Sequence, residues 1–160
     1  MSYRICVKTA SAQNDGVGWG AIVRVPNGET WELAGGIPYD DAQTAIRATL
    51  LGIVEALTTL PNPVEVEVFT DVQYIADGCS KYLDKWVARG WRRKDKKRVA
   101  HRDLWELIIQ ERNRHQLTVT WKDLGQEGRL AQSVATIGQE GERWFKRHLP
   151  AEPAPYEAPS

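Results

Sequence analysis

Residues 64–78 read VEVEVFTDVQYIADG, and the periodicity of this stretch changes in its middle. Up to Phe69, apolar and acidic residues alternate, which is typical of a strand with one buried face. From Asp71 onward the apolar spacing becomes helical, and Gly78 predicts a local break. The stretch therefore predicts a strand that runs through a short turn into a helix, with Asp71 at the turn.

Working outward, the rest of the chain predicts an α/β protein. Alternation predicts three earlier strands at 3–9, 19–25 and 30–36, joined as an antiparallel meander. Helical spacing follows at Ile46, Leu50, Ile53 and Leu57, then over 101–112, and finally from about Gln126 to Lys146, with a fifth strand at Leu117, Val119 and Trp121. We expect a mixed five-stranded sheet, β1-β2-β3 as a meander with β4 and β5 alongside, flanked by helices.

Length and composition exclude several classes of protein. The 160 residues suit one domain, and we place it at 1–147, followed by a Pro-rich disordered tail at 148–160. No apolar run approaches the roughly 20 residues that span a bilayer, and the first residues do not resemble a signal peptide. Cys6 and Cys79 match neither a disulfide framework nor a zinc spacing. We therefore expect a cytoplasmic protein with no membrane contact.

A basic segment is hidden within a chain of zero net charge, which has 21 Lys+Arg and 21 Asp+Glu. Residues 81–101 contain nine basic and two acidic side chains, a net charge of +7, so the remainder carries −7. Trp86 and Trp91 lie among these cations. Basic residues interleaved with aromatic ones favour contact with a nucleic-acid backbone. A solvated surface whose tryptophans pack into the core is the alternative.

These motifs resemble those of the type 1 ribonuclease H family over nearly the whole chain to about residue 146. GWGAIVRV looks like the family's second strand, TDVQY like its TDSQY-type turn, and LTVTWKD like its fifth strand. KYLDKWVARGWRRKDKKRVAHRDLWELI is similar to the family's basic protrusion, often called the handle, with the helix that follows it. The resemblance implies a ribonuclease H-like fold with a basic handle.

The resemblance also implies a two-magnesium site that cuts the RNA strand of an RNA/DNA hybrid, held by four carboxylates. Only one of the four positions is acidic here, namely Asp71. The first falls on Thr9 or Ala10, the second on Ile46, and the fourth, just before a Leu-Ala-type pair, on Gln132. The loop that carries a catalytic histidine in the family reads DLGQEG. The resemblance thus predicts a degenerate, catalytically inactive member.

Each of these positions also has a purely structural interpretation, because Ile46 extends an apolar helix stripe, Thr9 suits a strand and Asp71 can cap the next helix. Other carboxylates could rebuild a metal site of different geometry: Asp15, Asp123 and Glu127. The opposite possibility is that the ammonium group of Lys8 or Lys122 takes the place of a metal. A structure in which both amines point away from Asp71 would exclude that possibility.

The resemblance assigns substrate contacts to three polar residues and to the handle. Gln73 matches a glutamine that contacts the RNA minor groove, Gln43 a sugar-reading position and Asn14 an asparagine of the first turn. The handle residues expected to grip the DNA-strand backbone are Trp86, Arg89, Trp91, Arg92, Arg93, Lys94, Lys96 and Lys97.

Three functions are compatible with these observations. The leading hypothesis is a catalytically inactive protein that binds an RNA/DNA hybrid or another A-like duplex and needs no cofactor. The second is an active hybrid endoribonuclease with a rearranged metal site, which would need Mg²⁺. The third is a protein-interaction scaffold, in which the Pro-rich tail contacts a protein partner.

Overall fold

Six strands form one mixed sheet in the computed structural model, which describes residues 2–11, 16–38, 43–61, 63–140 and 144–149. The strands are β1 (Tyr3–Ser11), β2 (Val17–Arg24), β3 (Thr30–Ile37), β4 (Glu65–Thr70), β5 (Gln116–Trp121) and β6 (Trp144–Leu149). Their spatial order is β5-β4-β1-β2-β3-β6. β1, β2 and β3 pair antiparallel, whereas β4 pairs parallel to both β1 and β5. The predicted meander and its two neighbouring strands are confirmed.

The sixth strand was not predicted. The last helix, α5 (Gln126–Gln139), ends seven residues earlier than expected, and β6 pairs antiparallel with β3. An unpaired edge of β3 would expose a row of backbone N–H and C=O groups, and β6 satisfies them. The predicted boundary at residue 147 therefore falls inside β6, and residues 150–160 of the predicted tail lie outside the described residues.

Helices cover both faces of the sheet. On one face α1 (Thr44–Thr58) buries Leu50, Ile53 and Leu57 against Ile5 and Val7 of β1. On the other face α5 packs a smaller cluster, which contains Cys6, Ile22, Ala34, Ala131 and Val134. Since successive side chains of a strand point to opposite faces, odd-numbered residues of β1 belong to the α1 side and even-numbered ones to the α5 side.

Glycines let α5 lie directly on the sheet. A Cβ atom at Gly18 would collide with the carbonyl oxygen of Ala135, and one at Gly20 with that of Ala131. Such close backbone approach brings the N-terminal end of α5 over β1. This packing sets the position of the candidate site.

One nearly continuous helical segment leads from β4 to the basic loop. It comprises α2 (Gln73–Asp77), a π-helical turn (Gly78–Tyr82) and α3 (Leu83–Ala88). The break predicted at Gly78 is thus a π-helical turn; a side chain there would collide with the indole of Trp105. Trp105 lies in α4 (Arg102–Arg114), which follows the loop. No helix of the described segments is long and apolar enough to cross a membrane.

Candidate functional site

An ammonium group on β1 lies between two carboxylates that follow the ends of β4 and β5. Lys8 Nζ is 3.2 Å from Asp71 Oδ2 and 3.7 Å from Asp123 Oδ1. The Lys8 side chain is only 12% exposed, whereas those of Asp71 and Asp123 are 46% and 71% exposed. The Lys8 amine is therefore held by its surroundings. It points toward Asp71, as the hypothesis of an ammonium group in place of a metal requires.

Asp71 pairs with Lys8 and does not cap the following helix. Val72, not Asp71, is the N-cap residue of α2, and no side chain caps that helix end. The carboxylate of Asp71 instead accepts a hydrogen bond from Lys8. Lys122, the other candidate amine, is exposed, and its backbone N–H donates to the carbonyl oxygen of Thr70.

The β1 residue at this point is Lys8, one position before the predicted Thr9. Lys8 shares the α5 face with Cys6, and strand alternation places Thr9 on the opposite face. The backbone oxygen of Thr9 accepts a hydrogen bond of 2.8 Å from Gln132 Nε2. The β1 residue whose side chain joins the cluster is therefore Lys8 and not the predicted Thr9.

The α5 residue nearest the ammonium is Gly128, whereas Gln132 lies one turn later. A Cβ atom at Gly128 would be 2.8 Å from Asp123 Oδ1 and 3.2 Å from Lys8 Cε. Sequence reasoning missed this residue, although a signal existed: Leu130 and Ala131 form a Leu-Ala pair two residues after Gly128. The structure thus favours Gly128 over Gln132 as the α5 position of the site, and the absence of a side chain there leaves room for Lys8.

The remaining candidate carboxylates do not join this cluster. Glu127 lies 3.6 Å from the guanidinium groups of both Arg4 and Arg24, so its charge is compensated on another side of α5. Asp15 lies outside the described residues. Ile46 is half-buried, packs against the core and borders a cavity of about 240 Å³ at the start of α1.

These residues do not fit a pair of magnesium ions. Magnesium needs oxygen ligands in near-octahedral geometry, and here two carboxylates share one ammonium group. Among the described residues, no three His, Cys, Asp or Glu side chains form a group that could hold a metal ion. Burial, with the charge of Glu127 adding to it, raises the pKa of the nearby Cys6 thiol to about 11, so this thiol adds no negative charge to the cluster at neutral pH.

The handle residues predicted to bind a backbone are exposed, except the two tryptophans. Exposed side chains of this surface are Arg89, Arg92, Arg93, Lys94, Lys96 and Lys97. Gln73, the first residue of α2, and Gln43, just before α1, are exposed as well. Asn14 lies outside the described residues. The polar residues that were predicted to contact the substrate are therefore exposed wherever they fall within the described part of the chain.

Trp86 and Trp91 correct the sequence interpretation. Their exposed fractions are 5% and 8%, and both belong to the core cluster on the α1 face of the sheet. The rings of Trp86 and Trp105 meet edge to face with centroids 5.1 Å apart. With so little of either ring exposed, we do not expect it to stack on a base or a sugar. They anchor the basic loop instead, as the alternative interpretation of this segment held.

Backbone bonds give the basic loop a defined shape. Arg93 N–H donates to the Lys97 oxygen at 2.8 Å, and Lys96 N–H donates to the Arg93 oxygen at 2.9 Å. Lys96 adopts a φ of 69°, which costs energy for a side chain other than glycine or asparagine. Asp95 accepts from the Lys97 N–H and pairs with Arg93, and both contacts lower the pKa of its carboxyl. The cations are thus displayed on a structured loop.

An ion pair fixes the base of the loop to α1. Arg47 donates two hydrogen bonds to Asp103 at the start of α4, at 3.0 and 2.7 Å. The hydrogen bond from Arg47 lowers the pKa of the Asp103 carboxyl below its usual range. The contact sets the distance between the start of α1 and the basic loop.

The fold and site together define an α/β protein with a ribonuclease H-like sheet, a basic loop and a cluster of one ammonium and two carboxylate groups. A family model described as RNase H matches residues 5–123, which is most of the chain. The chain belongs to the ribonuclease H family. The match ends before α5, the helix that carries Gly128.

Curated relatives agree with this assignment. The chain is 38% identical over 141 residues to Ribonuclease H of Mesorhizobium japonicum, covering 86% of this chain and 77% of the relative. It is 39% identical over 104 residues to Ribonuclease H of Cupriavidus metallidurans, covering 65% and 69%.

Solved structures agree on the fold. LC9-RNase H1, described as a type 1 RNase H with the type 2 active-site motif, superposes with a TM-score of 0.65 at 20% identity, covering 89% of this chain and 73% of that one. The foamy viral protease-reverse transcriptase in complex with RNA/DNA hybrid gives 0.60 at 17% identity, covering 86% and 20%. At such identities the similarity concerns the fold alone.

Proposed function

We propose that this protein binds an RNA/DNA hybrid or another A-like duplex without cleaving it. The observation that carries the proposal is the Lys8 ammonium, which lies 3.2 Å from Asp71 Oδ2 and 3.7 Å from Asp123 Oδ1. It occupies the point at which a cation would be held by these carboxylates. The positive charge of the family's catalytic metal is thereby replaced by a fixed charge of the chain itself.

Electrostatics oppose a metal ion beside this ammonium. A dication about 4 Å from a unit positive charge is repelled by roughly 8 kcal/mol at an effective dielectric constant of 20, and by about 2 kcal/mol in bulk water. The two carboxylates still attract a dication, but at comparable distances Lys8 cancels about half of that attraction, so a metal ion would be held more weakly here than by the carboxylates alone. A lysine activates no water as a metal ion does, so the proposed site holds charge without providing the nucleophile.

Lys8 also makes the site compatible with a bound backbone. Asp71 and Asp123 alone would present a charge of −2 to a phosphate group, and Lys8 reduces this charge to −1. Net attraction then comes from the exposed basic loop, whose cations release counterions when they meet phosphates. The proposed binding is therefore sensitive to salt and carries little sequence preference.

The test is a gel experiment with an RNA/DNA hybrid labelled on its RNA strand, in magnesium and again in manganese. We expect a shifted complex and an intact RNA strand. A hybrid-cleaving ribonuclease H run in parallel shows that the substrate can be cut. Metal-dependent cleavage by the purified wild-type protein would contradict the proposal.

A second candidate is an active, metal-dependent hybrid endoribonuclease. The observation in its favour is that relatives 38–39% identical to this chain are named Ribonuclease H. This candidate predicts cleavage that disappears in Asp71→Asn, because Asp71 is the carboxylate retained from the family pattern. Cleavage that persists in Asp71→Asn would point instead to a contaminating nuclease.

A further inference from the structure

Three arginines and one tryptophan line a cavity at the basic loop. The cavity has a volume of about 450 Å³ and is lined by Gly90, Trp91, Arg92, Arg98, Val99 and Arg102. The lining contains no carboxylate. The resemblance assigned Trp91 and Arg92 to binding but not Arg98 and Arg102, so the cavity adds two arginines to the predicted surface.

Two of the three guanidinium groups are held in place by contacts with other residues of the chain. Arg102 lies over the Trp91 ring with its Cζ 5.3 Å from the ring centroid, and its Nε donates to Glu106 at 2.8 Å. Arg92 Nη1 donates to the backbone oxygen of Lys96 at 3.1 Å. Preorganised guanidinium groups lose little side-chain entropy when they bind a ligand.

Backbone contacts hold Arg98 opposite Arg92 at the cavity. Arg92 and Arg98 face each other as an isolated antiparallel β-bridge, and the N–H of Val99 donates to the Trp91 oxygen at 3.0 Å. Within the described part of the chain, no hydrogen bond or ion pair involves the Arg98 guanidinium. Arg98 also borders the cavity of about 240 Å³ that contains Gln43 and Arg93. It therefore connects the two cavities.

We infer that Arg92, Arg98 and Arg102 form a phosphate-binding site for the backbone of the bound duplex. Arg102 is paired with Glu106, but among the described residues no carboxylate forms an ion pair with Arg92 or Arg98, and an anion in the cavity would remove the repulsion between these two charges. Guanidinium groups bind phosphate oxygens through paired, charge-assisted hydrogen bonds. The inference rests on the proposed function, because a backbone phosphate is the ligand that a duplex-binding protein would bring to this site.

The test compares Arg98→Gln/Arg102→Gln with the wild-type protein in hybrid binding from 50 to 300 mM salt. We expect about tenfold weaker binding and a slope of log K against log salt that is smaller by about 0.9, since one phosphate contact is lost. Arg98→Lys/Arg102→Lys keeps the charge without the forked donors, so its affinity should lie between the two. Lys85→Gln removes an exposed charge outside the cavity and should change affinity less than twofold.

A second measurement identifies the source of the phosphate. The Arg Nε–H signals of the wild-type protein are followed by NMR during titration with inorganic phosphate alone, then with the hybrid. Saturable shifts of the Arg98 and Arg102 signals with the hybrid at much lower concentrations than with phosphate support a backbone ligand. Equal responses to hybrid and to free phosphate would overturn that assignment.

The two proposals fail in different ways. If the wild-type protein does not bind the hybrid at all, the proposed function is wrong, and the assignment of a backbone phosphate to the cavity is wrong as well. If the wild-type protein binds and Arg98→Gln/Arg102→Gln binds equally well with the same salt slope, only the cavity is wrong. Circular dichroism spectra that match the wild type establish that the variants are folded.

Discussion

The Lys8 cluster and the basic loop use positive charge in opposite ways. At the cluster the amine of Lys8 is largely enclosed and is compensated by Asp71 and Asp123. On the loop, Lys94, Lys96 and Lys97 are exposed, and no ion pair involves them among the described residues. A compensated, enclosed charge stabilises one local arrangement, whereas uncompensated charges attract a distant anion. The two regions thus differ both in the exposure of their positive charges and in the compensation of these charges by carboxylates.

The largest effect is expected from charge reversal on the loop. Changing Arg92, Arg93, Lys96 and Lys97 to Glu should weaken hybrid binding at least ten-thousandfold, about 5.5 kcal/mol, because four attractive contacts become repulsive. The measurement is fluorescence anisotropy at 100 mM salt. Replacing Lys81 and Lys85 by Glu is the control, since neither residue belongs to the loop. Unchanged affinity of the first variant would exclude a role of the loop.

Removal of a buried tryptophan should affect folding. Trp86→Ala is expected to reduce the free energy of unfolding by about 3–4 kcal/mol, because it leaves a large cavity beneath the loop. Arg89→Ala, at an exposed neighbouring position, should change it by less than about 0.5 kcal/mol. Urea denaturation measures both. A stable Trp86→Ala variant with weakened binding would mean that this ring contacts the ligand after all.

Removal of the ammonium should make the cluster more attractive to metal ions. Lys8→Gln is expected to raise the affinity for Mn²⁺ at least tenfold, about 1.4 kcal/mol, because the repulsion of a dication disappears. Lys122→Gln removes an exposed amine from the same edge and serves as the matched control. Calorimetric titration with Mn²⁺ distinguishes them. Equal metal affinities of the two variants would show that Lys8 does not exclude metal ions.

The smallest effect is expected from His115, a titratable residue that belongs to neither the Lys8 cluster nor the basic loop. His115 is buried, and its Nδ1 accepts a hydrogen bond from the Val64 N–H at 3.1 Å. Burial, followed by the charge of Arg114, lowers its pKa, although Glu111 acts in the opposite direction. The unfolded chain therefore binds this proton more readily than the folded one, so the unfolding free energy is highest above the ordinary pKa of about 6.5 and decreases as pH falls below it.

We expect less than about 1 kcal/mol from this histidine between pH 7.5 and 5.5. Urea denaturation at both pH values should show a smaller loss in His115→Asn, whose side-chain oxygen can accept the Val64 bond without titrating. Hybrid binding should depend much less on pH in this range, because lysine and arginine remain charged. An identical pH dependence of stability in His115→Asn and wild type would exclude His115 as its source.

Local periodicity was enough to predict most of the fold. The change of period at Asp71 gave the strand, the turn and the helix, and the meander followed from three alternating segments. The end of the last helix was predicted wrongly because the residues after Gln139 carry no clear alternation. Only the unpaired edge of β3 shows that residues 144–149 complete the sheet.

The candidate site, like the fold, could be predicted from the sequence only in part. Residue types in sequence were sufficient to predict that three of the four carboxylate positions implied by the resemblance are not acidic, and to show that the loop is strongly basic and that a lysine lies near the end of β1. The pairing of Lys8 with Asp71 and Asp123, the place of Gly128 beside it, and the burial of Trp86 and Trp91 depend on contacts between residues far apart in the chain. Such contacts arise from the parallel pairing of β1 with β4 and from the close approach of α5 to the sheet, and neither leaves a periodic pattern in the sequence.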